Sequence, residues 1–221
     1  MIVARAGVFA GVLVLAACAS AAPGRSRIGP ADPAAWERLV AAEDARVTTQ
    51  EDRAVVQAAL ESEDEVLRAM AVRALGRSER AEFAELIEPL LHDPADAVRA
   101  AAAHALGDVS RDTASAFRSR TVLLDALPQS AGYDAAAAAI AETLGRLPAN
   151  AATARASAER LAPLLTQNTA VRLGALRGLY FLARQAGGAA AVDGAAAAAL
   201  RALALSADAP RERGLAVATL G

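Results

Sequence analysis

The chain is 221 residues long, 55% hydrophobic and 22% charged, which excludes a disordered chain and leaves room for one domain or two small ones. A net charge of −2 argues against a nucleic-acid binder held mainly by charge. With 64 alanines, only 3% aromatics, one Cys and two His, the composition favours helices over a β-sandwich and offers little material for a metal or redox site, so no cofactor is expected.

Residues 1–17 read as an export signal. Arg5 precedes an uncharged apolar run from Ala6 to Ala17. That run is too short for the roughly 20 residues a spanning helix needs, and it has no polar face for a buried amphipathic helix. It ends in Leu15-Ala16-Ala17-Cys18, which resembles the lipobox of bacterial lipoproteins: Leu, two small residues, then the cysteine that is acylated. The resemblance implies that Cys18 becomes the first residue of the mature protein and carries a lipid anchor that holds it on a membrane without spanning it. Ordinary cleavage around Ala19 to Ala22 is the competing outcome. Ala19 stands where an Asp would resemble an inner-membrane retention signal, which leans the location towards the outer membrane. Residues 18–30, small and rich in Pro and Gly, read as a flexible tether.

Residues 31–50 are expected to form a capping helix. Asp32-Pro33 is a good helix start, and Trp36, Leu39 and Val40 share a face. From residue 51 to 221 a block recurs, closing on Leu75, Leu106, Leu144, Leu179 and Leu220. An Arg stands seven residues, two helical turns, before the closing Leu at Arg68, Arg99, Arg172 and Arg213; the third copy has Ala137 there. A second apolar stripe with helical spacing precedes each block, as in Phe83, Leu86, Ile87, Leu90 and Leu91. Polar turns between the two, from Ser62-Glu63-Asp64 to the last at Ser206 to Pro210, supply caps for the second helix. Gly76, Gly107 and Gly145 are read as its stops. The unit is thus helix, capped turn, helix, glycine stop, about five times over, with the last copy read as truncated.

This pattern resembles the short bacterial HEAT-like repeat, carried by Asp64/Arg68 and Asp96/Val98/Arg99 in the first two copies and more weakly by the rest. The resemblance implies an all-α, right-handed α-solenoid of stacked helix pairs, in which no pair buries its apolar face alone. It also implies that Asp64, Arg68, Asp96, Arg99, Arg172 and Arg213 bond within and between repeats as a structural ladder. Arg73, Arg177 and Arg184, later on the helices, are expected on a solvated face open to a partner. His92, Asp93 and Asp96 fit no usual zinc spacing and read as a turn and cap. His104 reads as an exposed helix position, and Tyr180-Phe181 as a core anchor.

No phosphate-binding loop, dinucleotide motif, nucleophile elbow or Cys/His cluster is present in the sequence. The expected function is a non-catalytic scaffold, tethered to the membrane through Cys18, that binds a protein partner in the bacterial envelope. The alternative is a region that holds client polypeptide in a longer envelope peptidyl-prolyl isomerase. That rests on a loose resemblance of Leu39 to Arg46 and the repeats to the HEAT part of such proteins, and the truncated last copy favours a chain continuing past Gly221. A phycobilin-lyase-like protein has similar repeats, but an export signal argues against it.

Overall fold

Helix starts are set by side chains placed to take free backbone N–H groups. In the computed structural model, which describes residues 31–185, 192–205 and 209–221, Asp32 accepts from the N–H groups of Ala34 and Ala35 and opens α1 (Pro33–Asp44). Thr49 and Asp52 exchange side-chain and backbone bonds at the start of α2 (Gln50–Leu60). Asp64 caps α3 (Glu65–Arg77), Asp112 caps α6 (Thr113–Ala126) and Asn150 caps α8 (Ala151–Leu161). The remaining helices are α4 (Ala84–Ile87), α5 (Asp96–Val109), α7 (Asp134–Arg146), α9 (Thr169–Gln185), α10 (Gly194–Leu205) and α11 (Pro210–Leu220). Residues 1–30, with the export signal, Cys18 and the tether, lie outside the described residues, as do Ser206 to Asp208 of the last polar turn.

The described residues form an all-α solenoid with no strand among them. Helices α3, α5, α7, α9 and α11 pack side by side in one row, with α1 against α3 at its front. The stripe from Phe83 to Leu91 is not one helix. It is a 3-10 turn (Ala81–Phe83), α4, and a second 3-10 turn (Glu88–His92). Pro89 explains the break, since it has no N–H to continue the α-helical ladder. Pro163 does the same after α8, where Ala162–Thr166 is a 3-10 turn.

The core lies between the row of second helices and the outer first helices. Leu75, Leu106, Leu144 and Leu179 are all at most 1% exposed, each contributing roughly 1.5–3 kcal/mol from burial. The fifth closing leucine, Leu220, is half-buried.

The glycines correct the sequence reading. Gly76, Gly107 and Gly145 do not stop their helices: α3 ends at Arg77, α5 at Val109 and α7 at Arg146, and none of the three has a positive φ. They are sites of close approach instead. A Cβ on Gly76 would lie 2.8 Å from the Cα of Ala105, and one on Gly145 only 2.1 Å from the carbonyl oxygen of Gly178. Gly174 and Gly178 of α9 press likewise on the backbone of Ala138 and Ala141 in α7. Helices α7 and α9 therefore meet backbone to backbone, along the seam where the repeating Arg is missing.

Arg120, on a first helix, stabilises that same region. It is 4% exposed and donates to the carbonyl oxygens of Leu144, Leu147 and Pro148 and to Ser157 Oγ at 2.9–3.1 Å. These carbonyls close the end of α7, where a cation also complements the helix dipole. Burial pulls its guanidinium below the ordinary arginine pKa.

Candidate partner-binding groove

The repeating polar residues sit at the edge where each second helix begins. Arg68 donates through Nε and Nη2 to both oxygens of Asp93, at 2.8 and 2.9 Å, and through Nη1 to the carbonyls of Ser62 and Glu63. Asp93 also accepts from the N–H of Ala95. Burial pushes the Asp93 carboxyl up, but the bonds from Arg68 and Ala95 and the charges of Arg68 and Arg99 outweigh it and hold the group below the usual carboxylate range. Asp64 accepts from Val66 N–H at 2.9 Å and from Ala31 N–H at 2.6 Å.

Asp96 does not cap its own helix. It accepts from the N–H groups of Ala135 and Ala136, at 3.0 and 2.7 Å, and so caps α7 of the next repeat. Arg99 donates to the carbonyls of Asp93 and Gln129 and lies 3.7 Å from the ring centroid of Tyr133. Arg172 reaches across to α11 and pairs with Glu212 at 2.6 and 3.2 Å. Arg213 stands beside Glu212 and takes no part in that pair. Glu212 escaped the sequence reading because nothing local marks it; its partner lies 40 residues away.

A second set of ion pairs crosses the exposed face of the second helices. Glu43 of α1, buried, binds Arg73 at 2.9 Å and Arg77 at 3.1 Å on α3. Asp108 of α5 faces Arg146 of α7 at 3.5 Å, and Glu142 of α7 faces Arg177 of α9 at 3.2 Å. Arg73 and Arg177 are thus exposed but engaged, not free. Arg184 lies 5.5 Å from the ring of Tyr180.

Among the described residues, the seam between α3 and α5 has no such pair on this face. An apolar groove of about 470 Å³ opens there, with Trp36, Val66 and Ala69 on one side, Ala101 and His104 on the other, and Met70 at its floor. Met70 is 5% exposed; Trp36 and His104 are half-buried. His104 is therefore not the exposed position expected of it. Burial, helped by the charge of Arg146, pulls its pKa below the ordinary histidine value against the opposing charges of Glu142 and Asp108. Tyr180 and Phe181 are half-buried and meet edge to face at 5.7 Å. They are not core anchors: Leu179 and Leu182 fill the interior instead, because at 100° per residue the intervening pair rotates out of it.

The turn around His92, Asp93 and Asp96 spends its carboxylates on Arg68 and on helix ends. Among the described residues no group of His, Cys, Asp or Glu is placed to hold a metal ion, and no helix is long and apolar enough to cross a membrane.

Residues 53–118 match the family model for HEAT repeats. A search of curated proteins returned no match. Among solved structures, an engineered protein from the Northeast Structural Genomics Consortium aligns with a TM-score of 0.60 at 21% identity, over 85% of this chain and 87% of its own. The likeness is one of fold. Together these show HEAT repeats over residues 53–118 and a like fold over most of the chain.

Proposed function

We propose that this chain is a non-catalytic helical scaffold, held on the bacterial envelope membrane by an acylated Cys18, that binds a protein partner along the exposed face of its second helices. The observation that supports partner binding is the groove between α3 and α5. It brings together an aromatic and a methionine, residue types enriched in interface cores, between alanines that leave room for a partner's side chains, while the charges beside it at Arg73 and Asp108 already have partners. The support for tethering is the run Leu15-Ala16-Ala17-Cys18 after an apolar segment, with Ala19 favouring the outer membrane.

Ala101 is half-buried on the groove wall, so Ala101→Arg fills the groove without entering the core. The variant is expected to keep the parent's melting curve and lose partners that co-purify with the native protein. Retention of the same partners would refute groove binding. Cys18→Ser is expected to move the protein from the membrane to the soluble fraction; unchanged attachment would refute the lipid anchor.

A further inference from the structure

We propose, resting on the groove reading above, that the occupant is a cationic amphipathic segment of polypeptide, its apolar side chains in the groove and its Arg or Lys side chains over the adjoining acidic edge. The groove's own charges explain the choice. Arg73 shares the carboxylate of Glu43 with Arg77, and Asp108 is matched by Arg146. Glu65 lines the groove, is exposed and, among the described residues, forms no ion pair. Glu65 also lines a second cleft, about 400 Å³, shared with Glu63, Asp64 and Arg68. The cleft's one cation, Arg68, is already held by both oxygens of Asp93, and Asp64 is spent on the N–H groups of Val66 and Ala31, which leaves Glu63 and Glu65 as its uncommitted carboxylates among the described residues. His104 adds no compensating charge at neutral pH, because burial disfavours its protonated form.

Apolar walls and a surplus of carboxylate meet at one residue, Glu65. A neutral apolar segment would leave that surplus unmatched, an acidic one would be repelled, and a basic one is complementary. The exposed carboxylates also make the attraction sensitive to salt.

Trp36 is the sole tryptophan of the chain and lines the groove, so its fluorescence reports occupancy directly. The test uses three synthetic helical peptides with one common Leu/Phe face and flanking positions filled with Arg, Gln or Glu. Each is titrated against the intact protein at low and high salt. The Arg peptide is expected to bind tightest and to weaken at high salt. The variants Glu63→Gln and Glu65→Gln, both at exposed positions, are expected to weaken it about 1.4- to fivefold each and to leave the Gln peptide unchanged. Equal or tighter binding of the Gln or Glu peptide would overturn the cationic preference and leave the groove reading standing. No response of Trp36 to any of the three would overturn both.

Discussion

Two glycines in helix interiors should respond to alanine with opposite signs. At Gly178 an added Cβ would lie 2.2 Å from the carbonyl oxygen of Ala141 and 2.9 Å from Leu161 Cδ1. A carbon and a carbonyl oxygen approach no closer than about 3.3 Å, so α7 and α9 must part by roughly 1 Å. A gap of that size forfeits about a quarter to a half of each dispersion contact it opens. Leu144, Leu176 and Leu179, all fully buried, belong to the two helices. Overpacking of this kind costs about 1–3 kcal/mol. The obstacle here is backbone, which cannot rotate away, so the upper end applies. Alanine returns about 1 kcal/mol of helix propensity, leaving a net loss of about 2 kcal/mol, or a fall in Tm of about 4–8 °C. Gly214, in α11, has nothing among the described residues within 4 Å of its added Cβ. Gly214→Ala should therefore keep only the propensity gain, about 0.5–1 kcal/mol. Thermal and urea unfolding followed by helical circular dichroism measures both. A Gly178→Ala variant as stable as the parent would refute backbone contact between α7 and α9.

Further outcomes follow from the buried polar groups and the core. Arg120→Met keeps the bulk but strips three carbonyls of their donor; it should cost at least about 3 kcal/mol, and an unchanged urea midpoint would contradict the capping role. Because Asp93 is held below the usual carboxylate range, its contribution is fully present above a pH of about 4 and is lost as pH falls through its own lower pKa. Asp93→Asn should therefore flatten the acid limb of the stability profile; a profile identical to the parent's would argue against the Arg68 pair. Leu106 is 0% exposed, so Leu106→Asp buries an unpaired charge and should abolish cooperative melting.

The helix pairs were legible because their signals are local: an apolar stripe with helical spacing, an Asp or Asn before it, and a closing leucine. What lay between repeats was less so. Arg68 and Arg172 stand out from the recurring block, but Asp93 and Glu212 do not, because their roles depend on a register set by stacking. Asp96 looks like a local cap and serves the next repeat's helix, a contact that only the packing of α5 against α7 creates. Arg120 was invisible for a different reason: its partners are mainly backbone carbonyls, which have no signature in side-chain sequence. The glycines misled because a glycine near a helix end suits both a stop and a close approach, and sequence spacing does not separate the two. The groove itself combines Trp36 with residues of the first and second repeats, so no single repeat announces it.

Site-specific photo-crosslinking in the native cell locates the partner surface on the solenoid. A photoreactive residue at Ala101, on the groove wall, is compared with one at Gln57, exposed on α2 of the outer layer. The account predicts a discrete crosslinked protein from position 101, lost when Ala69→Arg fills the groove from its opposite wall, and none from position 57. Crosslinks from position 57 alone, or from both positions and insensitive to Ala69→Arg, would contradict it and place the partner surface elsewhere on the solenoid.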